Sequence, residues 1–188
     1  MTPTQAGRAS SSRPNISIIV GEPNWRENLA LVRIVRRAAQ LAARTPAARK
    51  VHRVDMPAAS VLLSSDEHVQ ELNRAYRRKN RPTNVLAFPA VREADPYIGD
   101  VALAYGVVRK EASAQRKSLS AHAAHLTIHG ILHLLGYDHH LQNDAKVMEN
   151  QEILLLAHLG FANPYEPVPV RSRKSRNKLA PCPIIPAR

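Results

Sequence analysis

The chain has 188 residues, a length that suits one domain around a single hydrophobic core. It contains no run of eighteen or more apolar residues, which argues against a membrane span, and no apolar segment at its N-terminus, which argues against a secretory signal. Its single cysteine, Cys182, argues against a disulfide framework, so we expect a cytoplasmic protein. The formal net charge of +12 favours polyanionic partners, nucleic acid first, because cationic side chains release counterions when they neutralise phosphates.

The positive charge is concentrated at the two ends of the chain. Residues 1–15 carry two arginines and residues 171–188 carry six lysines and arginines, and neither segment contains an acidic residue. From their composition we expect a disordered extension at 1–15, a folded domain at 16–163 and a disordered, basic, Pro-rich tail at 164–188. A solubilising role and RNA binding both remain open for the end of this tail.

The folded part opens with ISIIV at 16–20, a β-branched run that predicts a strand. A helical pattern follows from about Arg26 to Arg44. Its arginine stripe is typical of a solvated helix face, although it is also able to follow a phosphate backbone. The stripe consists of Arg26, Arg33, Arg37 and Arg44, and the apolar face of Leu31, Val35, Ala38, Leu41 and Ala42.

A second strand is predicted at 60–65, followed by a helix that Ser65 or Asp66 caps and that extends to about Arg77. The inward positions of this helix are predicted to be Val69, Leu72 and Tyr76.

The rest of the folded part predicts strands at 85–88 and 97–105 and a helix at 106–117. Two further helices are predicted, one from Ser118 or Ser120 to Gly136 and one from Asp144 to Gly160. This order predicts a single α+β domain, a small mixed sheet of about four strands with about five helices packed on it.

Histidines dominate the segment HLTIHGILHLLGYDHH at 125–140. His125, His129 and His133 are four residues apart, so each adjacent pair lies on one helix face, one turn apart. All three are unable to bind one ion, because eight residues rise ~12 Å along the axis whereas a Zn–N bond measures ~2.0 Å. Two pairs therefore compete, and the third ligand decides between them.

Gly136 follows His133 by three residues, where a helix ends with a residue in the left-handed conformation. The chain reversal brings His139 within reach of an ion held by His129 and His133, but not of one held a turn earlier. The pattern H-x-x-x-H-x-x-G-x-x-H therefore predicts one Zn²⁺ bound by His129, His133 and His139. Three imidazoles leave a tetrahedral zinc with one open position for water, whose pKa falls to ~7, as in catalytic sites.

Several neighbours of this motif have two interpretations. Asp138 either orients an imidazole N–H or caps the turn. Gly130 occupies the position of the general-base Glu in H-E-x-x-H peptidases, and it allows either substrate or another element to approach the helix closely. We expect His122 and His125 to be hydrogen-bonded core residues, and His140 to lie on the surface.

The segment HGILHLLGYDH at 129–139 resembles the signature of the YbeY family, which are metal-dependent bacterial endoribonucleases. ELNRAYRRKNRPTNVLAFP at 71–89 is similar to that family's L-N-x-x-Y-R and P-T-[DN]-V-L-S-F blocks, and IGDVALA at 98–104 is similar to its I-G-D-I strand. AHLTIHG and MENQE also fit the helices around the family's metal site. The resemblance extends from about 60 to 160, with two departures: Ala87 replaces the usual Ser, and His140 replaces the usual acid.

The resemblance implies a small mixed sheet with helices and a zinc held by three histidines. It also implies cleavage of single-stranded RNA, maturation of the 3′ end of 16S rRNA and ribosome quality control. The implied partners are the 16S rRNA precursor and the ribosome, with ribosomal proteins or an assembly GTPase as further candidates.

The resemblance further implies that Arg77 faces the metal cleft and is needed for activity. A guanidinium suits this role because it offers two parallel donors to phosphate oxygens and stays protonated, although a surface arginine is the alternative. Arg78, Lys79 and Arg81 flank this residue and are candidates to contact RNA, with a solvated loop as the alternative. Aromatic residues make up 4% of the chain, which favours recognition of phosphates and shape over base stacking.

The leading hypothesis is therefore a zinc-dependent endoribonuclease, with either zinc-activated water or a ribose 2′-OH as the nucleophile. A metallopeptidase is the second hypothesis, which Gly130 disfavours. A non-catalytic ribosome assembly factor with structural zinc is the third.

Overall fold

A mixed four-stranded sheet lies at the centre of the computed structural model, which describes residues 13–46, 56–91, 96–139 and 142–167. The strands are arranged in the order β1-β2-β4-β3. β1 pairs with β2 and β2 pairs with β4 in parallel, whereas β3 pairs with β4 antiparallel. The strand bounds are β1 Asn15–Val20, β2 Ala58–Ser64, β3 Val85–Pro89 and β4 Tyr97–Ala104.

Six helices surround this sheet within the described residues, and four of them begin at a side-chain cap, the first at the carboxylate of Glu22. The Asn28 side chain accepts from the Leu31 N–H at 3.0 Å, and the hydroxyls of Ser65 and Ser118 cap two further helices in the same way. The helix bounds are α1 Pro23–Arg26, α2 Leu29–Ala42, α3 Asp66–Arg77, α4 Tyr105–Ala114, α5 Leu119–Leu134 and α6 Gln142–His158.

The largest hydrophobic core lies on one face of the sheet, where α2, α5 and α6 pack. α5 is the central helix of this layer, since it contacts α2, α4, α6 and both β3 and β4. Its segment from Leu126 to Leu134 is apolar apart from Thr127 and two histidines, so most of its side chains are buried. A smaller cluster on the opposite face joins Val69 of α3 to Leu86 of β3.

The predicted α+β class and mixed sheet are confirmed, with differences in three details. The helix predicted from Arg26 is divided, and Arg26 belongs to α1, where its guanidinium donates to the Val20 carbonyl at 2.8 Å. Tyr76 was predicted to face inward, which is wrong: its side chain is 71% exposed and packs edge-on against Phe88. Asn73 takes the buried position instead, because its amide donates to the Arg81 carbonyl at 2.7 Å.

Some predictions concern residues that lie outside the described part of the chain. They are the extension up to residue 12, Cys182, His140 and the tail from residue 168. Within the described residues, no helix combines the length and apolar character needed to cross a lipid bilayer.

Candidate metal centre and its cleft

The end of α5 is shaped by Gly136, whose φ of 83° lies in the left-handed region that side chains rarely adopt. The Tyr137 N–H donates to the Leu132 carbonyl at 3.0 Å, and the Gly136 N–H donates to the His133 carbonyl at 3.0 Å. These two bonds form a Schellman-type helix end. The chain therefore turns back toward the last turn of α5, as the position of Gly136 predicted.

This reversal brings three imidazoles together. His129, His133 and His139 each offer a ring nitrogen, and these nitrogens all lie within 4.8 Å of one another. The ring centroids of His129 and His133 are 4.6 Å apart, and that of His139 lies 5.0 Å from His133. The His125 ring lies 6.4 Å from His129 on its other side, and it is not a member of the group.

Hydrogen bonds fix which nitrogen of each helical imidazole faces the group. His129 donates from Nδ1 to Glu152 Oε1 at 2.7 Å, and His133 donates from Nδ1 to the Tyr137 carbonyl at 3.1 Å. Both rings therefore keep an unprotonated Nε2, and the two Nε2 atoms face each other at 3.1 Å. The turn that Gly136 creates thus both returns His139 and orients His133.

Two lone pairs that face each other this closely fit a shared cation. Tetrahedral zinc with Zn–N bonds of ~2.0 Å separates its ligand nitrogens by about 3.3 Å, close to the observed His129–His133 distance of 3.1 Å. Burial lowers the pKa of His133, and the imidazoles of His129 and His139 lower it further, which favours the neutral form that binds metals. The donor set therefore fits a three-histidine metal site.

A buried acid behind the imidazoles was missed from the sequence. Glu152 of α6 has no exposed surface, and its carboxylate accepts from His129, from His125 Nε2 at 2.8 Å and from the Tyr165 hydroxyl. Tyr165 belongs to the segment assigned to the tail, so this contact lies beyond the expected domain boundary at 163. A usable signal existed: Glu152 follows Met148 by four residues and precedes Leu155 by three, which places it on the apolar face of its helix.

The protonation states of this cluster follow from its contacts. Burial on its own would raise the pKa of Glu152, but hydrogen bonds from His125, His129 and Tyr165 outweigh burial and lower it to about 2. Burial raises the pKa of the Tyr165 hydroxyl, and its bond to Glu152 raises it further. The carboxylate is therefore ionised and the phenol protonated at neutral pH, which keeps a negative charge behind His129.

The three imidazoles form one wall of an open cleft of about 870 Å³. The end of α3 and the following loop contribute Arg77 and Lys79 to the cleft, and its lining also includes Thr83, Asn84, Val85, Ala87 and Pro89. Within the described residues, the guanidinium of Arg77 makes no hydrogen bond or ion pair. Cationic groups that are free to bind a ligand thus line the same cleft as the imidazoles.

The structure separates the other predicted RNA-contacting residues from the cleft. Arg78 adopts a left-handed conformation as the C-cap of α3, and Arg81 offers its carbonyl to Asn73, but neither lines the cleft. Asp138 lines it, and its carboxylate accepts from the backbone N–H of His139 at 2.7 Å. This bond fits the turn-capping interpretation of Asp138.

Gly130 also has an explanation in packing. A Cβ at this position would lie 2.7 Å from Cγ1 and 3.1 Å from Cγ2 of Val101 on β4. These distances are shorter than ordinary van der Waals contact, so the glycine allows α5 to approach the sheet. The same approach leaves no room for the glutamate that an H-E-x-x-H peptidase needs at this position.

Comparisons with known proteins identify the family. The family model described as Endoribonuclease YbeY matches residues 24–160, which include the three histidines, Arg77 and Glu152. The chain belongs to the endoribonuclease YbeY family. The Endoribonuclease YbeY of Rhodopseudomonas palustris is 38% identical to it over 85% of each chain. That of Gluconobacter oxydans is 41% identical over 82% of this chain and 90% of its own length.

The YbeY-family fold agrees with a solved structure. The solution structure of TM1509 from Thermotoga maritima aligns with a TM-score of 0.51 and 22% identity, and covers 80% of this chain and 99% of that protein. At this level of identity the likeness concerns the fold alone. Of the two departures from the YbeY pattern, Ala87 lines the cleft and therefore removes a hydroxyl from its wall, whereas His140 lies outside the described residues.

Proposed function

We propose that this protein is a zinc-dependent endoribonuclease that cleaves single-stranded RNA in the cleft beside His129, His133 and His139. The observation that carries the proposal is the convergence of three imidazoles in an open cleft that Arg77 and Lys79 also line. One face of the cleft thus offers metal ligands and another offers cations for a phosphodiester. The names of the YbeY relatives support RNA as the substrate class.

Each group has a distinct task in this proposal. When bound by the three histidines, zinc supplies a Lewis acid next to the scissile phosphate and activates water at neutral pH. Arg77 holds two non-bridging oxygens through parallel N–H donors and stabilises the charge that develops on them during attack. Lys79 acts as a point charge that draws the strand into the cleft.

The supporting residues keep the ligands in the form that binds the ion. Glu152 accepts the Nδ1 proton of His129 and so directs the Nε2 lone pair toward the ion. The carbonyl of Tyr137 does the same for His133, and Asp138 holds the backbone of His139. Asp138 is the one carboxylate among the described residues that line the cleft, and its bond to the turn supports the positioning role that we propose for it.

The cellular role that we propose is maturation of the 3′ end of 16S rRNA and ribosome quality control in the bacterial cytoplasm. The partners would be the 16S rRNA precursor and the ribosome, with contacts to ribosomal proteins or an assembly GTPase. The net charge of +12 and the YbeY family membership support this proposal.

The decisive experiment incubates the purified full chain, loaded with zinc, with 16S precursor RNA. We expect cleavage that stops with EDTA, returns with zinc and is absent in His129→Ala prepared in parallel, which controls for contaminating nucleases. Equal cleavage by His129→Ala would refute the proposal. The product ends identify the nucleophile: a 2′,3′-cyclic phosphate indicates the ribose 2′-OH, and its absence indicates activated water.

Variants at Arg77 distinguish the nuclease function from that of a non-catalytic assembly factor. Arg77→Ala should lower the cleavage rate by about 10²–10³-fold and leave zinc content unchanged, and Arg77→Lys should not restore the rate because lysine lacks the paired donors. Arg74→Ala removes an exposed arginine one turn earlier on α3, outside the cleft, and is the matched control. A folded, zinc-loaded Arg77→Glu protein that still supports ribosome maturation in cells would favour the assembly-factor function.

A further inference from the structure

A second basic depression lies on α2, on elements that the metal cleft does not use. It has a volume of about 490 Å³, and five arginines line it together with Gln40 and the end of α6. None of its described lining residues is acidic, and none also lines the metal cleft. We call this depression the α2 groove, and its arginines are Arg13, Arg33, Arg36, Arg37 and Arg44.

The helix holds these arginines in one orientation. Four of them lie on α2 or just after its end, opposite the helix face whose side chains are fully buried in the core, namely Leu31, Val35, Ala38, Ala39 and Ala42. Arg36 donates to the Ile16 carbonyl at 2.8 Å and so joins the groove to β1. Because the apolar face is buried, α2 is unable to rotate the arginines away from the groove.

The positive charges of the α2 groove are not neutralised by acidic side chains of the described residues. Within the described residues, none of the five arginines forms an ion pair with a carboxylate. Arg33 and Arg37 are four residues apart on a helix, a spacing at which like charges repel. A bound polyanion relieves this repulsion, and the arginines from Arg33 to Arg44 extend ~16 Å along the helix, a length that spans several phosphates.

The chemistry of the groove favours a phosphate backbone. No Phe, Tyr or Trp is among its described lining residues, so it offers no surface for base stacking. A membrane surface is disfavoured, because helices that bind membranes insert an apolar face, and that of α2 is buried in the core. Contacts to phosphates carry no sequence information, so an arginine surface of this kind suits the RNA backbone rather than a particular base sequence.

We propose that the α2 groove is a second RNA-binding site, which binds the phosphate backbone of the substrate at a distance from the bond that is cleaved. This inference rests on the proposed function, since it assumes that RNA is the substrate. One RNA molecule then contacts the protein twice, with its scissile phosphate in the metal cleft and a further segment of its backbone in the α2 groove.

The test measures binding of the full chain to a fluorescent single-stranded RNA of 30 nucleotides, with EDTA present so that cleavage is prevented. The variant is Arg33→Gln/Arg37→Gln, since both side chains are exposed and make no hydrogen bond within the described residues. Arg109→Gln/Lys110→Gln removes two exposed charges from α4, outside the groove, and is the matched control. Circular dichroism and thermal melting verify that all variants fold.

The proposal predicts a change in salt dependence. Each lost phosphate contact lowers the slope of log K against log salt by about 0.7 for single strands, so the groove variant should lose about 1.4. Between 50 and 200 mM salt the wild type should therefore weaken about sevenfold more than the variant. The control should keep the wild-type slope. Arg33→Gln/Arg44→Gln should behave like the first variant, and it replaces that variant if the first does not fold.

Three outcomes would overturn the proposal. The first is an unchanged slope in both groove variants. The second is an equal loss in the α4 control, which would indicate a general charge effect. The third is that the groove variants, unlike the wild type, fail to bind phosphatidylserine vesicles or polyglutamate while their RNA binding persists. That result would assign the groove to a membrane or an acidic protein.

The binding test and the zinc-dependent cleavage assay together separate this inference from the proposed function. If the groove variants lose the predicted slope but the wild type cleaves no RNA with zinc, the groove is an RNA site and the nuclease proposal fails. If zinc-dependent cleavage occurs and the slopes are unchanged, the groove inference alone fails.

Discussion

The carboxylate of Glu152 on α6 lies 2.7 Å from Nδ1 of His129 on α5, so a fully buried acid stands directly behind a proposed metal ligand. The other oxygen of this carboxylate, Oε2, accepts from His125 and Tyr165. A helix with an acid in its apolar face thereby fixes the orientation of an imidazole on the neighbouring helix. Four predictions follow from this arrangement and from the packing around it.

Glu152→Gln should weaken zinc binding by about 10–100-fold, because an amide lacks the negative charge that orients His129 and increases its basicity. Competition with a chromophoric chelator measures the affinity. Glu149→Gln, an exposed position on the same helix, is the control and should bind zinc like the wild type. Equal affinity for the wild type and Glu152→Gln would show that the buried acid does not tune the site.

The zinc content of variants tests whether the ion is bound by the pair His129 and His133 or by the pair His125 and His129. His139→Ala should lose bound zinc on dialysis, because it removes one of the three converging nitrogens. His125→Gln should retain about one ion per chain, since the His125 ring lies on the far side of His129 and binds Glu152 instead. Metal analysis after gel filtration gives both values. The reverse result would assign the ion to His125 and His129.

Gly130→Ala should destabilise the protein by about 1–3 kcal/mol, although alanine favours helices over glycine, because the added methyl overlaps Val101. Urea unfolding of Gly130→Ala, Val101→Ala and the double variant gives the interaction between the two positions. We expect Gly130→Ala to be less costly when Val101 is shortened. An undiminished cost would mean that the overlap with Val101 is not its cause.

The burial of His122 predicts that the folded protein loses stability in mild acid. Burial lowers the pKa of His122, and the opposing contact with Glu111, at 2.8 Å, does not restore it to the usual value of 6.5. Below pH 6.5 the unfolded chain therefore takes up a proton that the folded protein resists. This difference favours unfolding increasingly as the pH falls from 6.5 toward the lowered pKa of the folded state.

His122→Gln retains a donor for Glu111 but does not titrate. Its free energy of unfolding should fall less than that of the wild type between pH 7.5 and 5.5. Both proteins are compared without metal by urea unfolding, so that loss of zinc at low pH does not contribute. Identical pH dependence in the two proteins would show that His122 titrates alike in the folded and unfolded states.

The local sequence determined most of the elements and the proposed ligand set. Ser65 and Gly136 marked helix ends, and the spacing of His129, His133 and His139 around that glycine predicted their convergence. These predictions succeeded because caps, turns and helical spacing act over a few residues, so their geometry follows from the order of the residues themselves.

Tertiary structure alone decided the contacts that join distant segments. Tyr76 has the spacing of an inward residue on α3, yet it lies outside, whereas Asn73 is buried and forms a bond to the following loop. The link from Glu152 to His129 spans two helices, and the α2 groove unites the start of the chain, α2 and the end of α6. Helical periodicity shows which residues share a face of one helix, whereas the neighbour that each face meets depends on how the whole chain packs.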